Sequence, residues 1–294
     1  MKRRLIDRIH DRAWCEVGQW LARAPTLQPA AQSEDSSSSI SAGMPWAEVC
    51  AAFANGTLKT PGFRRNSAVR NIVETVGPVD GRFYGARIRE WAPAWLTNAR
   101  IARVDAWGDP IRWPGRLLGM PRAFSPTTLR YLATALWLQR QGYILPGGEV
   151  IEIGVGYGGL AAMNALVSGS ITTLVDLPAV EQSAMRMLDE NGLGQHGCLS
   201  QERNPSTVPL VISNYAFSEL NAVIQDQYLE RYLKRADHGV IISNAGIFAA
   251  TIHGRSDLEL IAWLRAAGLD AKLEHVNDLL APSDHLCGVS MIRW

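Results

Sequence analysis

Apolar residues follow two different spacings along the chain, and the change from one to the other falls near residue 143. Before it, apolar positions repeat with the period of a helix, and proline- and glycine-rich segments separate the helical stretches. After it, short apolar runs alternate with helical stretches. Such alternation predicts an α/β domain in which helices cover both faces of a parallel sheet.

The pattern also predicts individual elements. In the first part, helices are predicted at 5–24, 46–54 and 66–76, and from Pro126 to about residue 141 with Ser125 as N-cap. In the second part, seven strands are predicted, at 149–153, 171–175, around 198–199, 210–213, 239–243, 271–276 and 285–292. Residues 277–284 are too few for a helical crossover, so the last two strands are predicted to pair antiparallel.

The chain therefore divides into four segments: an N-terminal helix at 1–31, a serine-rich linker at 32–44, a mainly helical region at 45–142 and the α/β domain at 143–294. The first helix has two interpretations. Its basic residues beside an apolar face suit a membrane surface, whereas Asp7, Asp11 and Glu16 favour packing on the body of the protein or on a second subunit. A homo-oligomer formed through this region is consistent with the second interpretation.

Composition narrows the class of protein. The chain has 294 residues, of which 47% are hydrophobic, and this composition fits a globular protein. Its formal net charge is +1, so the chain as a whole has no excess positive charge that would attract nucleic acid. Its four cysteines are far apart and form no Cys-x-x-Cys pair, which favours a reducing cytoplasm. No apolar run reaches membrane-spanning length. No Asp/His cluster has metal-ligand spacing, so no metal is predicted.

A glycine cluster follows the first predicted strand and opens a helix, an arrangement typical of a nucleotide-like cofactor site. The cluster satisfies two templates. Gly154, Gly156 and Gly159, with Asp176 some 20 residues later, match the dinucleotide fingerprint. Gly154, Gly156 and Gly158, preceded by Glu152, match the acidic loop of S-adenosylmethionine enzymes. The glycine spacing alone leaves both cofactors open.

Three further features favour S-adenosylmethionine. Glu152 ends a buried strand, where a carboxylate needs a cationic or hydrogen-bonding partner; the methionine ammonium supplies one, and a pyrophosphate would be repelled. The antiparallel final pair of strands differs from the dinucleotide sheet. No later motif indicates a nicotinamide clamp. Asp176, at the end of the second strand, would accept hydrogen bonds from both ribose hydroxyls of either cofactor.

Several motifs together resemble a known family. They are Glu152 to Leu160, the step Val175-Asp176-Leu177-Pro178, and Ser213-Asn214-Tyr215-Ala216-Phe217-Ser218-Glu219, which is the most specific. In their order they are similar to the sugar O-methyltransferases, over roughly residues 107–246. The resemblance implies a class I methyltransferase fold (a Rossmann-like, seven-stranded sheet with an antiparallel last strand), S-adenosylmethionine as cofactor, and a hydroxyl of a sugar or glycosylated small molecule as methyl acceptor. We therefore interpret 143–294 as the cofactor-binding domain and 45–142 as the acceptor-side region. The first 100 and the last 40 residues lie outside the resemblance and are the candidate regions for binding the acceptor.

Ligands of such sheets bind at the carboxyl ends of the strands, and this edge supplies the candidate site residues. The candidates for cofactor binding are Glu152, Gly154, Gly156, Tyr157, Gly158, Asp176, Leu177, Gln201 and Asn214. Glu219 and His253 are the candidates for a general base that removes the proton of the acceptor hydroxyl. Arg130 and Tyr131 are placed to border the cofactor or the acceptor, and Arg112, Arg116 and Arg122 to bind an acceptor phosphate.

Two other functions remain open at this point. One is an NAD(P)-dependent oxidoreductase on a similar sheet. The other is a non-catalytic binding module with a methyltransferase-like fold.

Overall fold

A computed structural model describes residues 39, 41, 44–202, 207–274, 276 and 278–294. The helix predicted at 5–24 and all but three residues of the predicted linker lie outside these described residues. The helical region and the α/β domain lie within them almost completely.

A seven-stranded sheet forms the centre of the α/β domain. Its strands are β1 Glu149–Ile153, β2 Ile171–Val175, β3 Gly197–Leu199, β4 Val208–Asn214, β5 Ala236–Ser243, β6 Lys272–Glu274 and β7 Ser290–Arg293. Their order in the sheet is β3-β2-β1-β4-β5-β7-β6, and all neighbouring pairs are parallel except the two that involve β7. The antiparallel last strand is thus inserted between β5 and β6. This order and these directions confirm the predicted class I methyltransferase fold.

Helices flank the sheet and form the region before it. The α-helices among the described residues are Trp46–Ala54, Ser67–Ile72, Pro78–Trp91, Ala99–Ala106, Gly115–Leu118, Pro126–Arg140, Gly159–Ser168, Pro178–Glu190, Ala222–Arg231, Ala245–Ile252, Asp257–Ala266 and Pro282–Leu286. None of them is long and apolar enough to cross a membrane.

The core lies on both faces of the sheet, because successive strand residues point to opposite faces. Val150, Leu210 and Ile212 belong to a cluster that includes the N-terminal helices, the helix Pro126–Arg140 and the helices after β1 and β2. Ile151 and Val211 belong to a second cluster, with residues of the helices Ala222–Arg231 and Asp257–Ala266. Burial on both faces explains why these strands appear in the sequence as continuous apolar runs.

Two local features differ from what the sequence indicates. The stretch after β5 has no pattern that predicts a helix, but Ala245–Ile252 is one. It is apolar on most sides, so its sequence lacks the one-sided pattern that reveals a surface helix. His285 was expected to begin the last strand, but it lies in the helix Pro282–Leu286. Pro282 in the first turn, and Asp284 accepting the backbone N–H of Ala281 at 2.8 Å, begin that helix.

Candidate functional site

A cavity of about 560 Å³ opens at the carboxyl ends of the central strands. Glu152 reaches it from β1, Asp176 from the residue after β2, Asn214 from the end of β4 and Asn244 from the residue after β5. Parallel strands bring these positions to one edge of the sheet, where ligands of open α/β sheets bind. Helices of the N-terminal region close the opposite wall, which includes Trp46.

Glu152 is the most enclosed acidic group of this cavity. Its side chain is 1% exposed, and its Oε2 atom has no hydrogen-bond partner within the protein. Burial, reinforced by the negative charge of Asp176, raises the pKa of the Glu152 carboxyl group well above its usual range. A buried carboxyl group with an unsatisfied oxygen is costly to keep, and a ligand with a hydrogen-bond donor or positive charge would offset that cost.

Asp176 lies beside Glu152 and is oriented by its own neighbours. The backbone N–H of Leu177 donates to its Oδ1 atom at 2.8 Å, and the N–H of Asp176 donates to Glu181 Oε1 at 3.1 Å. Burial raises the pKa of Asp176 to about 7, although hydrogen bonds from Leu177 and the glycine loop oppose that shift. Leu177 also lines the cavity and is 42% exposed.

Asn214 faces the cavity with an unsatisfied amide. Neither its Oδ1 nor its Nδ2 atom has a partner, although both are buried. The next residue, Tyr215, has φ +77° and ψ −42°, which is the strained γ-turn region that side chains rarely adopt. Strain of this kind is retained where the surrounding structure enforces it, commonly at functional sites.

The hydroxyl of Tyr215 belongs to a polar cluster that the sequence did not reveal. It donates to Asp284 Oδ1 at 2.9 Å, and the hydroxyl of Tyr84 donates to Oδ2 of the same carboxylate at 3.1 Å. Ser283 Oγ donates to Asp80 Oδ2 at 2.5 Å. All five side chains line the cavity. They come from three segments, of which the first and the last are joined across 203 residues of sequence, so no short-range signal could have assembled them.

The glycines of the loop after β1 serve the protein's own packing. Gly154, Gly156 and Gly158 have φ values of +81°, +55° and +86°, where a side chain is strained. A Cβ atom on Gly154 would lie 2.0 Å from the Cβ of Ala216, and one on Gly156 would lie 2.8 Å from Val73 Cγ1. Gly154 and Gly156 line the cavity, whereas Gly158 does not.

Tyr157, between these glycines, is buried away from the cavity. Its ring stacks on Trp107 with centroids 5.9 Å apart, and the guanidinium of Arg64 lies 4.7 Å from the ring centroid. Arg64 is itself buried and forms an ion pair with Glu74. In this arrangement Tyr157 anchors the loop to the helical region and is not in position to touch a ligand.

Replacing Gly154 with alanine should destabilise the protein more than the same change at Gly169. Both residues have a left-handed backbone, but a Cβ on Gly169 meets nothing within 4 Å. Both variants bear the backbone strain of about 1–2 kcal/mol, and Gly154→Ala adds the overlap with Ala216, which costs about 1–3 kcal/mol more. Urea unfolding of the two variants measures the difference. An equal loss of unfolding free energy in both variants would show that the loop can move away from Ala216 without cost.

Three other predicted residues occupy different places. Glu219 lines the cavity, and its Oε1 atom accepts a hydrogen bond from Asn244 Nδ2 at 2.6 Å. Burial raises the pKa of the Glu219 carboxyl group. His253 is exposed at the end of the helix Ala245–Ile252, and Gln201 is exposed after β3; neither lines the cavity.

The charges on the cavity wall are mostly negative. Five carboxyl groups line it, and Arg130 is the one cationic side chain among the described residues that do so; the carboxyl groups are those of Asp80, Glu152, Asp176, Glu219 and Asp284. Tyr131 lines it too, but none of the three arginines predicted to bind phosphate does. Within the described part of the chain, no group of three His, Cys, Asp or Glu side chains is arranged to hold a metal ion, and the absence of a metal stays a prediction.

Comparison with known proteins leaves the family and the substrate open. No family model matches the chain. A protein-L-isoaspartate O-methyltransferase of Chlorobaculum tepidum is 32% identical over 123 residues, which are 40% of this chain and 54% of that protein. The chain thus spans about half the length of this curated relative.

Solved structures that resemble part of the chain include methyltransferases of several kinds. A geranyl diphosphate C-methyltransferase of Streptomyces coelicolor is 16% identical, with a TM-score of 0.42 over 55% of this chain and 77% of that one. An O-methyltransferase family protein of Burkholderia thailandensis is 14% identical, with a TM-score of 0.39 over 57% and 59%. The N-terminal domain of human METTL16 is 13% identical, with a TM-score of 0.39 over 56% and 70%. At these levels of similarity no activity or substrate transfers to this chain.

Proposed function

We propose that this chain is an S-adenosylmethionine-dependent O-methyltransferase that acts on a hydroxyl of a sugar or of a glycosylated small molecule. The observation that supports this most is the unsatisfied, buried carboxyl group of Glu152 beside Asp176 at the edge of a methyltransferase sheet. The ammonium of a methionine moiety would satisfy Glu152, and ribose hydroxyls would donate to Asp176. A dinucleotide would instead bring the negative charge of its pyrophosphate next to both carboxyl groups.

The residues present fit this cofactor. Glu152 and Asn214 have buried polar atoms without partners, and Asp176 is held by backbone N–H groups with its carboxylate at the cavity wall. When bound, the cofactor supplies a methyl group that its sulfonium already activates. The protein then has to hold the acceptor oxygen in line with that methyl group and remove its proton.

The polar cluster around Asp284 suits a hydroxyl-bearing acceptor. Tyr84, Tyr215 and Asp284 form one hydrogen-bonded group, and Asp80 with Ser283 forms another. Carboxylates and phenols accept and donate hydrogen bonds to hydroxyl groups. The excess of carboxyl groups over the single arginine disfavours an acceptor that carries phosphate.

We assign the role of general base to Glu219. Asn244 occupies its Oε1 atom, and Asn244 is fixed in turn by a contact of 2.6 Å between its Oδ1 atom and Ser218 Oγ. This leaves Oε2 to accept the proton of an acceptor hydroxyl. The raised pKa strengthens Glu219 as a base, because a carboxylate that binds its proton more tightly removes one more readily.

Glu219→Gln should therefore lower kcat by about 10²- to 10⁴-fold and leave the affinity for S-adenosylhomocysteine nearly unchanged. His253→Ala is the comparison variant, because the exposed His253 should contribute little. Steady-state kinetics with the acceptor found below, and calorimetry with S-adenosylhomocysteine, measure the two effects. Loss of turnover in His253→Ala with full turnover in Glu219→Gln would assign the base to His253 instead.

A thermal-shift screen followed by mass spectrometry tests the function itself. S-adenosylhomocysteine should raise Tm, and NADH and NADPH should not. Incubation with S-adenosylmethionine and a panel of sugars and glycosides should then add the mass of one methyl group to at least one of them. Stabilisation by NAD(P)H alone would point to an oxidoreductase. Binding of S-adenosylhomocysteine without turnover on a broad panel would point to a non-catalytic module.

A further inference from the structure

Arg64 is a buried cation that joins four separate segments of the protein. It is only 1% exposed, and each of its three nitrogens donates a hydrogen bond. The acceptors are Glu74 for Nε, the carbonyl of Asp105 at 3.2 Å for Nη1, and Ser125 Oγ at 3.0 Å for Nη2. Its guanidinium also lies 4.7 Å from the ring centroid of Tyr157. Arg64 thus connects three segments of the helical region with the glycine loop after β1.

Glu74, which forms the ion pair with Arg64, belongs to a segment of the cavity wall. Residues 71–76 are here called the wall segment. All of them except Glu74 line the cavity, namely Asn71, Ile72, Val73, Thr75 and Val76. The side chain of Glu74 instead accepts hydrogen bonds from Arg64 and, at 3.3 Å, from Ser125 Oγ. Residues 74–76 belong to no helix or strand, so side-chain contacts hold this part of the wall segment in place.

The wall segment also touches the glycine loop directly. Val73 packs so closely on Gly156 that a Cβ atom there would lie 2.8 Å from Val73 Cγ1. Arg64 reaches both sides of this contact, because it binds Glu74 on the wall segment and stacks on Tyr157 in the loop. Gly156 lines the part of the cavity that we propose for the cofactor. The spacing between two walls of that part therefore depends on one buried ion pair.

We propose that Arg64 and Glu74 are positioning residues for cofactor binding, which act by holding the wall segment against the loop after β1. The inference rests on the proposed function. Neither residue lines the cavity, so both act through the residues that do. Removing one partner of a buried ion pair leaves the other as an uncompensated charge, and the wall segment then loses its anchor. If the segment is in place for only a fraction of the time, the apparent Kd rises by the inverse of that fraction.

Hydrogen exchange of the ligand-free protein and calorimetry with S-adenosylhomocysteine, made on the same variants, test the proposal. Glu74→Gln keeps the size of the side chain and removes its charge. Ser125→Ala is a milder second variant, which removes only the hydroxyl that contacts both partners. Leu138→Ala is the matched control, because Leu138 is fully buried near the far end of the helix that follows Ser125 and does not line the cavity. All variants are compared at a temperature where circular dichroism shows them folded.

Glu74→Gln should speed hydrogen exchange in peptides from residues 71–77 and weaken S-adenosylhomocysteine binding about tenfold, as when the wall segment is in place for about a tenth of the time. Ser125→Ala should show both effects in smaller measure. Leu138→Ala should lower Tm and show neither effect. Unchanged exchange or affinity in Glu74→Gln, or the same changes in Leu138→Ala, would overturn the proposal.

The wild-type protein separates this proposal from the proposed function. If it does not bind S-adenosylhomocysteine, the proposed function fails, and the positioning role fails with it. If it binds, and Glu74→Gln binds equally well, only the role of the ion pair is overturned.

Discussion

Asp176→Ala is expected to weaken S-adenosylhomocysteine binding on the order of a hundredfold or more, because two ribose hydroxyls lose a charged acceptor, and each such hydrogen bond contributes about 1.5–3 kcal/mol. The protein should still fold, since the side chain of Asp176 faces the cavity and its backbone N–H keeps Glu181 as acceptor. Calorimetry gives the affinity, and circular dichroism checks the fold. An affinity within about threefold of the wild type would remove Asp176 from the cofactor site.

The same residue should make cofactor binding depend on pH. Its pKa of about 7 in the free protein means that it is largely protonated at pH 6 and largely ionised at pH 8. The ionised form accepts both hydroxyl hydrogen bonds, so affinity should rise from pH 6 to pH 8 and then level off. Asp176→Asn cannot ionise and should lose this part of the dependence. The same steep rise in Asp176→Asn would assign it to another group, of which Glu152 is the nearest.

Glu152→Gln should raise the stability of the ligand-free protein and abolish tight cofactor binding. The carboxyl group is buried with one unsatisfied oxygen, and its pKa is raised by burial and by Asp176. A group whose pKa is higher in the folded than in the unfolded protein disfavours folding at neutral pH, because folding then requires a proton or a buried charge. The neutral, equally large glutamine removes that cost. We expect a gain on the order of 1–3 kcal/mol at pH 7, because each unit by which folding raises a carboxyl pKa costs about 1.4 kcal/mol, and a Tm higher by several degrees.

The pH dependence of this stability difference tests whether the raised pKa of Glu152 is its cause. A carboxyl group with a raised pKa carries no such cost below its unfolded pKa of about 4, where it is protonated in both states. The difference in Tm between Glu152→Gln and wild type should therefore be small at pH 4 and grow toward neutral pH. Glu149→Gln, at the start of the same strand and outside the cavity wall, is the control and should show no such growth. A loss of stability in Glu152→Gln at pH 7 would contradict the proposed cost. Substitutions at ligand sites commonly raise the stability of the protein and weaken ligand binding at the same time.

The part of the cavity that we propose for the cofactor was largely predictable, because it depends on local pattern. A buried apolar run predicts a strand, and the residue that follows a parallel strand lies at the ligand edge, which places Glu152, Asp176 and Asn214 together. Tyr157 also lies in the loop after β1, but its side chain packs on Trp107 and does not line the cavity. The direction of this side chain depends on the backbone angles of the loop. No periodicity carries that information.

The polar cluster that we propose for the acceptor was not predictable, because it depends on packing between distant segments. Asp284 meets Tyr84 only after the helix Pro78–Trp91 has packed near the last helix of the chain. The exposed position of His253 follows from the helix Ala245–Ile252, which carries the chain beyond the cavity before His253 is reached. The sheet fixes the positions of the residues next to its strands. The positions of the cavity residues from other segments depend on how the N-terminal helices pack against the α/β domain.

The carboxylate of Asp284 joins two distant segments at the cavity wall, because it accepts hydrogen bonds from both Tyr84 and Tyr215. Tyr215 directly follows β4 and its backbone N–H donates to Ile242 of β5, so one side of this junction is fixed to the sheet. Tyr84 and Asp284 lie instead in the helices Pro78–Trp91 and Pro282–Leu286, outside the sheet. On the proposed function, exchanges at these two helix positions would change the acceptor that the protein accepts, whereas an exchange at Tyr215 would also disturb the strand ends that face the cofactor.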